Sequence, residues 1–132
     1  MNLEQFSMKF RTQFSDLAEA VDAHHEDSVF GGLNASSSVQ PVWFESLADV
    51  LNKRMAGQSH RNETSNVFKF MDDSFRTGQP DVKECIDVCF VENLFHDVPR
   101  QIARSVWPTL PKSLQQLYKD CLLYTSPSPR DA

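Results

Sequence analysis

The spacing of its large apolar residues constrains this chain more than any other feature. In the first segment Leu3, Phe6, Phe10, Phe14, Leu17 and Val21 recur at intervals of three and four. That period lines one face of an α-helix and does not match the strict alternation of a half-buried strand. Glu4, Lys9, Arg11, Asp16, Glu19 and Asp22 fall on the opposite side. Asn2 stands where an N-cap belongs, so the spacing predicts one long amphipathic helix ending near His24-His25-Glu26-Asp27.

The helical period returns in each later segment. Between Ser28 and Gln40 the segment VFGGLNASSSVQ carries two glycines and three serines and reads as a loop, the most mobile internal stretch. Pro41 suits the first turn of a second helix, with Phe44, Leu47, Ala48, Leu51 and Met55 inward and Gly57 at its end. A polar loop, Gln58 to Glu63, leads to a third helix capped at Thr64, Ser65 or Asn66, with Val67, Phe68, Met71 and Phe75 inward and Gly78 closing it. Pro80 opens a fourth, whose Val82, Cys85, Ile86, Val88, Cys89, Phe90, Val91 and Leu94 lie almost all round the axis. Such a helix belongs at the centre of a fold. Its β-branched residues leave a buried strand as the competing reading, but the proline start and the length favour helix. A short fifth helix is expected over Pro99 to Val106, before Trp107-Pro108. A sixth follows over Pro111 to Lys119, with Leu114, Leu117 and Tyr118 inward. The expected fold class is all-α: a compact single-domain bundle of about five to six helices around a central buried helix spanning 80–95.

Composition agrees with one globular domain over residues 1–120. Apolar residues make up 40% and charged residues 23%, ordinary proportions for a packed core. Ten phenylalanines imply that this core is built from large rings. The formal net charge of -5 and the lack of a Lys/Arg cluster weigh against nucleic acid as a partner. The nearest basic grouping, Lys53, Arg54, His60 and Arg61 around Gly57, reads as a solvated turn rather than a phosphate site. No apolar run approaches the roughly 20 residues of a membrane span, and MNLEQFSMKFRTQF lacks the continuous apolar stretch of a secretory signal. A cytoplasmic location and no membrane contact are therefore expected, with oligomeric state left open.

No phosphate loop, nucleophile elbow or dinucleotide fingerprint is present. His24, His25 and Glu26 have no counterpart elsewhere at metal-ligand spacing, so they read as a solvated helix end. Glu92 and His96 lie four apart and would share a helix face, which reads as a helix-end hydrogen bond or ion pair. Cys85 and Cys89, set among Ile86, Val88 and Phe90, read as small core residues. No cofactor, metal or catalytic set is expected. Glu92 and Asn93 interrupt an apolar helix, and with His96, Asp97 and Arg100 they form the densest polar cluster adjoining the core. That cluster is the candidate interaction site.

Two resemblances add to this reading. Cys89-Phe90-Val91-Glu92-Asn93-Leu94, following an acidic turn with Asp81, resembles the signature segment of a family of small bacterial all-helical domains of unknown function. In that family a buried helix ends in this stretch and a turn such as Trp107-Pro108 follows. The resemblance implies the fold and no activity. Proteins of this size and acidity are also similar to immunity partners of bacterial toxins. The segment Cys121 to Ala132, CLLYTSPSPRDA, resembles the translation of a transposon-based sequencing-library adapter, which implies a non-native, disordered tail at 121–132. The function expected from these features is a non-catalytic intracellular protein-binding domain of immunity or antitoxin type. The alternatives are a small hydrolase or metal-dependent enzyme using Glu92, His96 and Asp97, and a structural subunit whose exposed Phe/Trp stripe closes a homodimer.

Overall fold

A computed structural model describes residues 1–28 and 41–124. Most of the loop expected over Ser28 to Gln40, and residues 125–132 of the tail, lie outside the described residues. Within them the chain forms α1 (Leu3–Gln13), α2 (Ser15–Ser28), α3 (Val42–Ala56), α4 (Arg61–Thr77), α5 (Pro80–Glu84), α6 (Arg100–Val106) and α7 (Lys112–Tyr124), with no strand among the described residues. α5 continues without interruption into a π-helical stretch, Cys85–Phe90, and a 3-10 turn, Val91–Asn93. The strand reading of this segment is excluded and the helical one stands.

α1 starts as its sequence requires. Asn2 Oδ1 accepts from Gln5 N at 2.9 Å while Gln5 Oε1 accepts from Asn2 N at 3.0 Å, a reciprocal capping box. Leu3 N donates to Asp81 Oδ2 at 3.0 Å, which ties this end to α5. The single long first helix is corrected: Phe14, at φ -123 and ψ 57, breaks it into two. The ladder nevertheless spans the break, with Phe14 N bonded to Phe10 O and Ala18 N to Phe14 O, both at 2.8 Å. The bend lets both halves pack inward, and a bidentate pair from Arg11 to Asp22, at 2.8 and 3.0 Å, braces it. Asp22 also accepts from the indole N–H of Trp43 on α3 at 2.8 Å.

The apolar stripes predicted for the later helices are buried as expected at Phe44, Leu47, Ala48, Leu51, Met55, Val67, Phe68 and Met71. α4 starts earlier than its sequence suggested. Arg61 to Glu63 are helical, and the N-cap is His60, left-handed at φ 56. Gly78 after α4 is required by close packing, because a Cβ there would lie 2.6 Å from the Ser74 carbonyl oxygen and 2.7 Å from Val82 Cγ1. The last helix also differs from expectation: α7 runs to Tyr124, so residues 121–124 extend a helix rather than lie outside the fold.

The core is one contiguous cluster. Phe6 and Phe10 from α1, Phe14 at the break after it, Trp43 and Phe44 from α3 and Phe70 from α4 meet in stacked, tilted and edge-on pairs with centroids 4.9–6.2 Å apart. A second ring group, Phe95, Trp107 and Tyr118, closes the far end at 5.5–6.1 Å. The exposed Phe/Trp stripe expected of a homodimer is not found among the described residues. The large apolar side chains left outside are Met8, Val42 and Val88, because the rings fill the interior instead.

Candidate functional site

The polar cluster after the central helix is built around a forced change of direction. The helix ends at Asn93, and Leu94 is extended at φ -70 and ψ 149. Glu92 and His96 therefore do not share a helix face, which corrects the expected four-residue pairing. Phe95 and Asp97 follow at φ 65 and φ 60, left-handed conformations that the Cβ of any residue but glycine disfavours. Such a loop persists only where its surroundings over-determine it.

Asn52 supplies that restraint. Its side chain, 5% exposed on α3, donates from Nδ2 to Asn93 O and accepts at Oδ1 from Phe95 N, both at 2.8 Å. The Asn93 side chain in turn donates to Cys89 O at 2.8 Å, satisfying a carbonyl freed where the helix unwinds. The Phe95 ring is buried against Trp107 and Tyr118. With backbone and ring both fixed, His96 and Asp97 stand out at the tip, 72% and 90% exposed, with His96 Nε2 and Asp97 Oδ2 3.6 Å apart.

The tip faces a shallow groove of about 350 Å³ whose other walls are His24 from α2 and Asp49, Asn52, Lys53 and Ala56 from α3. His24 Nε2 lies 3.4 Å from Asp49 Oδ2, and the neighbouring His25 Nδ1 lies 3.0 Å from Ser46 Oγ. The two histidines are thus drawn onto α3 and are not the solvated helix end expected. The groove joins three positively charged or chargeable groups, His24, Lys53 and His96, to two carboxylates, Asp49 and Asp97.

Of the expected cluster, the structure brings His96 and Asp97 to the groove and makes Asn93 a backbone clamp behind them. Glu92 is exposed on another side, where its charge acts with those of Asp87 and Asp120 on Cys121. Arg100 opens α6 and is not among the groove walls. Among the described residues no hydrogen bond or ion pair joins Glu92 to His96 or Asp97, and no group of three metal-ligating side chains occurs. Burial, followed by the neighbouring Cys89, pushes the Cys85 thiol far up; burial and then Glu45 raise Cys89. Burial, with Glu92 behind it, raises the Cys121 thiol to about 11. All three therefore hold their protons near neutrality.

Sequence reasoning missed Asn52, the residue that organises the loop. Its signal was present: Asn52 lies four residues after Ala48 and three before Met55, a polar amide inside an apolar stripe. Such a residue needs a buried partner. What the sequence did not show was that the partners lie 41 and 43 residues away.

The fold and the site together define a small all-helical domain that holds a hydrogen-bonded polar loop over a shallow groove. A family model described as "Domain of unknown function (DUF7674)" matches residues 8–124, and the chain belongs to that family. No curated protein and no solved structure matches it. Among the described residues no helix is long and apolar enough to cross a membrane.

Proposed function

We propose that this chain is a non-catalytic protein-binding domain of immunity or antitoxin type, working in the bacterial cytoplasm, and that the loop at His96 and Asp97 is its recognition element. The observation that carries the reading is the bracing of that loop. Asn52 holds the backbone at Asn93 and at the left-handed Phe95, and the two charged or chargeable groups that follow, His96 and Asp97, are displayed at high exposure. Preorganisation of this kind lowers the ordering cost of association. The net charge of -5 supports a basic partner, whose encounter an acidic surface accelerates. Asn93 belongs to the site as its clamp, while Glu92 and Arg100 stand outside the groove. On the same reading residues 121–132 derive from a sequencing adapter and take no part in recognition.

The test is capture from the source organism by the wild-type chain and by two loop variants, Asp97→Lys and His96→Ala, followed by affinity measurement at low and high salt. A basic protein held by the wild type, released by salt and lost on Asp97→Lys is the expected result. A partner held equally by all three proteins would remove the loop from the reading. The absence of any retained partner would remove the reading itself.

A further inference from the structure

The turn between α3 and α4 closes a cleft against α6 that the braced loop does not use. It encloses about 310 Å³, room for a compact small molecule, above an apolar floor of Met55, Ile102 and Val106. Arg61, Thr64 and Ser105 line its polar side. Thr64 is 3% exposed, and its Oγ1 is the one buried side-chain polar atom left without a hydrogen-bond partner among the described residues. A threonine within a helix ordinarily satisfies its hydroxyl on a carbonyl three or four residues back, and leaving it unsatisfied is costly. Thr64 lines the cleft, and its hydroxyl lies unsatisfied beneath that wall.

Two further features give the cleft a sign. α4 is 17 residues long and begins without a side-chain cap, since His60 makes no capping hydrogen bond. Its first-turn N–H groups and the positive end of its dipole are therefore available to an anion. Among the described residues the Arg61 guanidinium makes one hydrogen bond, Nη2 to Ser105 Oγ at 3.5 Å, the outer limit of such a bond, and so keeps most of its donors. Glu63, the carboxylate of the same turn, is paired with Arg54, which offsets part of its repulsion of an incoming negative charge.

We propose that this cleft binds a small molecule that carries an oxyanion, phosphate or carboxylate, on a compact apolar body. The oxyanion lies at the first turn of α4 beside Arg61 and accepts the Thr64 hydroxyl, while the apolar body covers Met55, Ile102 and Val106. This site is separate from the loop at His96 and Asp97, so either reading can fail without the other.

The test is a titration of the isotope-labelled full chain, followed by amide shifts at constant ionic strength, with inorganic phosphate, phenyl phosphate, benzoate and benzyl alcohol as probes. Saturable shifts confined to residues 58–65 and 102–109 are expected with phenyl phosphate or benzoate, and the tighter of the two identifies the anion. Inorganic phosphate, lacking the apolar body, should bind more weakly than phenyl phosphate, and neutral benzyl alcohol more weakly than either organic anion. Thr64→Val and Arg61→Gln should each weaken the better anion by about tenfold or more, the scale of one hydrogen bond to a charged group, while Thr64→Ser retains it. Should Thr64→Val fail to fold, Thr64→Ala removes the same hydroxyl. The proposal is overturned if no anion saturates, if benzyl alcohol binds as tightly as the anions, or if loss of the Thr64 hydroxyl leaves affinity unchanged.

Discussion

Gln58 occupies a place where helices ordinarily put glycine. α3 ends with Ser59 N bonded to Arg54 O and Gln58 N to Met55 O, both at 2.9 Å, the paired bonds of a Schellman turn. The left-handed residue such a turn requires is Gln58, at φ 55, while Gly57 itself stays right-handed at φ -83. The glycine is one position short of where its conformational freedom would help. Replacing Gln58 by glycine should therefore raise the urea midpoint, by about 0.5–1 kcal/mol after the extra entropy of the unfolded glycine is counted. Asn52 gives the opposite case, a residue whose side chain fits its place. Asn52→Leu preserves approximate volume but strips two buried backbone groups of their partners, so a loss of about 2–4 kcal/mol in chemical denaturation is expected. Faster amide exchange at residues 94–98 should accompany it. Unchanged exchange there would mean that Phe95 alone holds the loop.

Elements were legible where periodicity reports them and illegible where a helix changes character without a marker. The inner faces of α3 and α4 followed from spacing, and Asn2 and Pro80 marked their helix starts correctly. The break at Phe14 carries no proline or glycine, and the π-helical turns at Cys85–Phe90 use the same apolar residues an α-helix would. Both arise from tertiary packing, of α2 on α3 in one case and of α3 and α7 on the central helix in the other. The widened helix sets Asp87 close to Asp120 of α7. Burial first, and Asp120 second, raise the Asp87 carboxyl above its ordinary 3.8. A carboxyl raised in the folded state supports folding below its unfolded pKa and loses that support as pH climbs through the folded value. Asp87→Asn should therefore match the wild type near pH 3 and exceed it at pH 7, by a few tenths of a kcal/mol because the group is partly solvated. Urea midpoints at the two pH values check this. An equal difference at both would assign the effect to packing rather than charge.

At the scale of the whole molecule, the count of ten phenylalanines pointed to a ring-built core, and seven of them are buried among the described residues. Sequence led to one core but not to which rings meet within it, because ring spacing along a helix carries no information about which helix lies opposite. The structure joins them. Trp43 sits with Phe10 and Phe44 at one end, Trp107 with Phe95 and Tyr118 at the other, and Phe68 meets Phe90 at 6.4 Å within the same cluster. A continuous core of this size should unfold as one unit. The two tryptophans make that testable, since Trp107→Phe leaves fluorescence reporting from the first ring group and Trp43→Phe leaves it reporting from the second. The two urea transitions should each coincide with loss of the helical circular dichroism signal of the same variant. Phe10→Ala removes a ring with four aromatic neighbours and should cost about 3–5 kcal/mol, a large share of a small domain's stability. Placed in each tryptophan background, it should lower both midpoints together. If it moved the Trp43 signal and left the Trp107 signal in place, the ring groups would be separate folding units, and the braced loop would stand on the second of them alone.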